Sequence, residues 1–339
     1  MIREALLYEK LSESRVQCRL CAHACKIAPS RRGICGVREN REGILYSLVY
    51  GLPIAENVDP IEKKPLFHVD PGTRSFSIAT VGCNFSCTFC QNHDISQLPR
   101  ETLKIPGRPA APEDIVDRAI RMGCQSISYT YTEPTVFFEY AFGIAGLAHE
   151  RKLKNIFVTN GFMSGMAIDC VAPVLDAANV DLKSFRDDFY RKRCGARLQP
   201  VLDSLRKMKE RGVWVEVTTL LIPGLNDSTE ELRQIAAFIA SLGRETPWHV
   251  SRFFPRYRMN DVPATDIAAI GRAFQIGREA GLKYVYSGNV HGDEGENTHC
   301  SRCGNVLIDR HGYTVRQVRL KGSACLSCNT PLDGLFGNN

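Results

Sequence analysis

Three cysteines, Cys83, Cys87 and Cys90, stand within eight residues in GCNFSCTFCQN, spaced x3 and x2. Thiolates placed so closely can wrap one face of an iron-sulfur cubane. A 4Fe-4S cluster usually takes four cysteines, so three would leave one iron open. An open iron beside a pocket binds a ligand and does chemistry rather than only carrying electrons. The alternative is a three-cysteine zinc site completed by His93 or a distant residue. Phe85, Phe89, Gln91 and Asn92 suit a cluster loop better than a zinc knuckle.

Two further cysteine sets flank this triplet among the 14 cysteines of the 339-residue chain. Cys300-x2-Cys303 and Cys325-x2-Cys328 form two knuckles around a spacer that reads as a hairpin turning near His311 and Gly312. Gly304 and Asn329 after the second cysteines tolerate a left-handed backbone and let amides face sulfur. This is a tetrahedral four-sulfur site, best read as structural zinc, with mononuclear iron as the alternative. So short a module does not bury enough surface to fold without metal. Cys18, Cys21, Cys25 and Cys35, with His23 as a substitute ligand, form a less diagnostic set, compatible with zinc or with an auxiliary 4Fe-4S cluster. Cys124 and Cys170 read as core residues. Cys194, after a basic run, reads as loop packing with a lowered thiol pKa as the alternative.

Composition frames these sites. Hydrophobic residues make 44% of the chain and charged ones 24%, which excludes a collagen-like or disordered polymer. No apolar run reaches the about 18 to 20 residues of a membrane helix. MIREALLYEK carries early charges and no continuous apolar core, so a cytoplasmic, reducing location is expected and metal ligation is preferred to disulfides. A net charge of +6 is mild and gives only a weak pointer to an anionic partner.

The elements that must position the triplet read as alternating strands and helices. Strands are expected at 74–81, 126–130, 155–159, 180–183, 213–222, 249–254 and 283–286. A helix opens at Ala111-Pro112 with Ile115, Val116, Ala119 and Ile120 as its apolar stripe and Gly123 as its end. Ser228-x2-Glu231 is a capping-box pattern before another helix. Strands separated by helices imply right-handed parallel units, whose functional groups collect at the carboxyl ends of the strands. Those ends carry Glu133, Asn160, Asp181 with Lys183, and Glu216 with Thr218; His249 and Arg252 are further cavity candidates.

The spacing Cys83-x3-Cys87-x-Phe89-Cys90 resembles the signature of the radical S-adenosylmethionine (SAM) superfamily. The resemblance implies that the open iron chelates SAM and that one electron from the reduced cluster cleaves it to a 5′-deoxyadenosyl radical, which removes hydrogen from a substrate. Glu133 in TEP resembles the family's second-strand Gly-Gly-Glu motif, both glycines being replaced, and would meet the SAM ammonium. Lys183 would meet the carboxylate or a ribose hydroxyl, and Asp181 the ammonium or ribose. EKKPLFHVDPGTRSFSIATVGCNFSCTFCQN, YTEPT, NVDLKSF and VTTLLIPGLNDS are similar to glycyl-radical-enzyme activases typified by pyruvate formate-lyase activase. The fuller similarity, including both outer cysteine sets and SGNVHG at 287–292, is to the radical SAM member of the AmmeMemoRadiSam system.

The expectation is therefore an α/β protein. It has a cysteine-rich segment at 1–71, a partial (β/α) parallel barrel of radical SAM type at 72–290 and a zinc ribbon at 291–339. Cys83, Cys87 and Cys90 hold the cluster; Glu133, Asn160, Asp181, Lys183, Glu216 and His249 bind SAM. The expected partners are an electron donor such as flavodoxin or ferredoxin, Memo-like and AMMECR1-like proteins, and a protein substrate, with no membrane. An RNA-modifying radical SAM activity and a non-catalytic metal-binding scaffold are the rival readings.

Overall fold

A computed structural model describes residues 2–290, 292 and 294–337. Its main sheet has eight strands: β1 (Ala55–Pro60), β2 (Arg74–Ala79), β3 (Ser126–Tyr129), β4 (Lys154–Thr159), β5 (Ala177–Asp181), β6 (Trp214–Leu221), β7 (Trp248–Arg252) and β8 (Val285–Gly288). They lie side by side in chain order. β1 pairs antiparallel with β2, and every later neighbour pairs in parallel. Helices α1 (Pro112–Arg121), α2 (Phe138–Glu150), α3 (Gly165–Val171), α4 (Gln199–Glu210), α5 (Thr229–Leu242) and α6 (Ile267–Glu279) fall between the parallel strands. Parallel strands joined by helices put all the carboxyl ends on one side.

The expected strands all form. The one foreseen at 180–183 starts earlier, at Ala177, because Ala177 to Val180 are buried between β4 and β6. The sheet also reaches ahead of residue 72: β1 has polar residues at Glu56, Asn57 and Asp59, Val58 is only half-buried and the one buried residue is Asp59, so it lacks the strand pattern. In α1, Ile115, Val116 and Ala119 are buried, but Ile120 lies at the margin of the stripe and is exposed. Ser228 caps α5 by accepting from the Glu231 amide at 3.2 Å. Glu231 does not complete the box; it turns to Ser184 Oγ and the Phe185 amide.

Residues 61–68 run along the inner face of the sheet rather than outside it. Pro65 C=O accepts from Asn179 Nδ2 at 2.8 Å, and Glu216 accepts the amides of Phe67 and His68 at 3.0 and 2.9 Å. The carboxyl-terminal hairpin, β9 (Val306–His311) and β10 (Thr314–Val318), locks this plug in place. Arg310 stacks on Phe67 at 4.1 Å and donates to its carbonyl at 2.7 Å. The amino-terminal segment docks on the loop after β4: Ser164 and Ala22 amides bond to Leu20 and Phe162 carbonyls.

Candidate functional site

The loop after β2 is bound on several sides. Arg100 donates to the carbonyls of Cys83, Phe85 and Ile34 at 2.7, 2.9 and 2.6 Å. Amides of Ser86 and Thr88 bond to the carbonyls of Cys194 and Arg193 at 2.8 and 2.9 Å. Arg100 and the 190–195 turn carry no motif, so sequence spacing does not single them out. Cys194 is buried, and with burial it holds the Cys87 thiol pKa well above the ordinary value. It packs under the loop, as the preferred reading expected, its carbonyl accepting the Ser86 amide.

Cys83, Cys87 and Cys90 line a cavity of about 1620 Å³ including its open mouth, together with Glu133, Asp181 and Lys183. Lys183 Nζ donates to Asp181 Oδ2 at 2.8 Å and lies 5.7 Å from the centre of the Phe89 ring. Burial opposes the lysine's charge, but Asp181 and the thiols of Cys87 and Cys194 outweigh it and hold its pKa above the ordinary value. Glu133 is buried and gathers four donors: the amide and hydroxyl of Thr135, the Thr159 hydroxyl and the Asn160 amide. Burial pushes its pKa up and those donors pull it down, burial prevailing. Among the described residues, Oε2 accepts from the Asn160 amide alone, at 2.8 Å.

Asn160 lines the same cavity but works toward the loop. Its Nδ2 donates to Asn84 Oδ1 at 2.7 Å and lies 3.8 Å from Cys83 Sγ. Cys90 Sγ lies 3.4 Å from Ser96 Oγ. Residues that the motifs did not mark also reach the cavity: Lys64 from the plug, and Tyr313 from the hairpin tip. Lys64 bonds Asp59 at 2.6 Å, and burial lowers its pKa to about 8.

Glu216 and His249 are not brought to this cavity. They are buried deeper in the sheet, His249 Nε2 lies 2.6 Å from Glu216 Oε2, and both carboxylate oxygens also accept plug amides. Their assignment as SAM-binding residues is corrected: period-two alternation turns them inward, but residues 61–68 cover them. Arg252 likewise serves structure, donating to Thr265 C=O at 2.6 Å. Of SGNVHG, His291 lies outside the described residues.

The thiol spacings separate metal types. Tetrahedral zinc with Zn–S near 2.3 Å puts its sulfurs about 3.8 Å apart. Cys300, Cys303, Cys325 and Cys328 are gathered within 4.8 Å, with Cys300–Cys328 at 3.5 Å and Cys303–Cys325 at 3.7 Å. This set can bind one metal ion. Among the described residues the central triplet is not gathered within that distance. Three thiols around an open cavity with a carboxylate and an ammonium beside them fit a 4Fe-4S cluster with one iron left for a ligand.

A family model described as the radical SAM superfamily matches residues 77–239. An uncharacterized protein of Methanocaldococcus jannaschii is 45% identical over 98% of this chain and 99% of its own length. The pyruvate formate-lyase-activating enzyme of Clostridium pasteurianum is 22% identical over 58% of this chain and 86% of its own. In fold, the chain is similar to Streptococcus suis SuiB, solved bound to S-adenosylmethionine: TM-score 0.51, 13% identity, covering 68% of this chain and 53% of that one.

Proposed function

The chain belongs to the radical SAM superfamily, and from that premise we propose an activase-like enzyme that acts on a protein substrate. The observation that carries this reading is the common cavity of Cys83, Cys87, Cys90, Glu133, Asp181 and Lys183. When bound there, a reduced 4Fe-4S cluster supplies the electron that cleaves SAM to methionine and a 5′-deoxyadenosyl radical able to take a substrate hydrogen.

The protein's own side chains bind and orient. Lys183, held charged by Asp181, offers N–H donors to the SAM carboxylate. Glu133 Oε2 accepts from the ammonium while Oε1 stays fixed by Thr135 and Thr159, so its position is set before SAM arrives. Asn160 and Arg100 hold the cysteine loop against the strand ends. The plug and the Tyr313 hairpin bound the cavity from below and one side, which leaves the strand-end mouth for substrate. An open mouth suits a loop of a macromolecule. Zinc in the carboxyl-terminal set keeps the hairpin folded.

Association with Memo-like and AMMECR1-like proteins, a flavodoxin or ferredoxin donor, and a cytoplasmic location complete the proposal. Among the described residues, no helix is long and apolar enough to cross a membrane.

The decisive experiment is anaerobic reconstitution with iron and sulfide, followed by dithionite and SAM. The expected product is 5′-deoxyadenosine, with Cys87→Ala abolishing it while zinc in the tail is retained. An intact cluster without product, or product from Cys87→Ala, overturns the reading. Deuterium transfer from a labelled candidate protein into 5′-deoxyadenosine identifies the substrate; transfer from RNA instead would replace it.

A further inference from the structure

Of the three cysteine sets, one is gathered to zinc spacing and two are not. Cys18, Cys21, Cys25 and Cys35 belong with the central triplet in this respect, yet they face a common space. They line about 340 Å³ between the side chains, part of it open to solvent, along with Arg38 and Asn84. His23 is not a spare ligand: its Nε2 lies 2.8 Å from Asn84 C=O and its ring packs on Phe162 at 4.8 Å.

Two buried side chains on this space carry donors without acceptors. Arg38 is 2% exposed; its Nη2 holds both oxygens of Glu139, while Nε and Nη1 have no partner. Asn84 is 1% exposed; its Oδ1 accepts from Asn160, while Nδ2 has no partner. Buried N–H groups are almost always satisfied, so three orphans around four thiols mark an absent acceptor. Thiolates and inorganic sulfides of an iron-sulfur cluster accept such bonds, and these four thiols are not drawn within 4.8 Å of one another as the carboxyl-terminal set is.

We infer that Cys18, Cys21, Cys25 and Cys35 ligate a second 4Fe-4S cluster, with Arg38 and Asn84 donating to its sulfurs. All four corners have a thiolate, so this cluster has no open iron for SAM. Asn84 follows Cys83 directly and connects the two centres through its backbone and its bond to Asn160.

The inference is independent of the SAM reaction and is tested without it. The full chain carrying Cys83→Ala, Cys87→Ala and Cys90→Ala together is reconstituted anaerobically and analysed for iron, sulfide and zinc, with Mössbauer and reduced-state paramagnetic resonance spectra. The expected result is about four irons and four sulfides per chain with the signature of a 4Fe-4S cluster. Adding Cys21→Ser and Cys25→Ser should remove them and leave the tail zinc. No iron in the folded triple variant, or a second zinc in its place, overturns the assignment. If the triple variant is insoluble, the unmodified protein decides: about eight irons support a second cluster and about four overturn it. Absence of SAM cleavage with both clusters present would count against the reaction and leave this site standing.

Discussion

At the residue scale, Asp181 and Lys183 form a pair that the DLK motif places two residues apart and the cavity keeps 2.8 Å apart. Lys183 lines the cavity with the three cysteines and lies 5.7 Å from the centre of the Phe89 ring, so the proposal gives it the SAM carboxylate. A charge-assisted hydrogen bond contributes about 1.5–3 kcal/mol. Lys183→Met is therefore expected to weaken SAM binding by about tenfold or more, tenfold being about 1.4 kcal/mol. Equilibrium binding of SAM to the reconstituted protein measures this, and an unchanged affinity would remove Lys183 from the site. Glu216 and His249 show the opposite lesson: each has the right residue type on an inward position, and neither is free to meet a ligand.

At the element scale, the amino-terminal segment and α2 are joined by one buried ion pair. Arg38 and Glu139 meet at 2.5 Å with both side chains nearly inaccessible, and Glu139 also accepts the Leu6 amide at 3.0 Å. Breaking a buried pair leaves an uncompensated charge and costs about 3–5 kcal/mol. Glu139→Ala is expected to lower stability toward urea by that order, while Glu150→Ala, on the exposed end of the same helix, should change it by less than about 0.5 kcal/mol. Equal losses in the two variants would show that the pair does not join these elements. No local pattern marks Glu139 as the anchor of another segment, because its partner is 101 residues away.

At the scale of the whole molecule, His68 links barrel, plug and tail. Its Nδ1 donates to Asp333 C=O and its Nε2 accepts from Tyr286 Oη, both at 2.6 Å, which fixes the neutral tautomer. Burial lowers its pKa to about 4. The unfolded chain then binds a proton that the folded chain refuses between about pH 6.5 and 4, so stability is full above that window and falls as pH drops through it. The loss is of order 3 kcal/mol at about 1.4 kcal/mol per unit. Urea unfolding at several pH values should show a shallower dependence across this window in His68→Gln than in the unmodified protein; parallel curves would refute the linkage. The sequence by itself grouped the cysteines into three candidate metal-binding sets and predicted the alternation of strands and helices, because ligand spacing and apolar period are local properties. The radical SAM assignment rested on that local spacing and needed no distant contact. Tertiary structure decided which inward residues meet the cavity, that residues 61–68 fill the sheet's inner face, and that β1 extends it. Those outcomes depend on segments far apart in the chain competing for the same buried donors and space, and no local pattern records who wins.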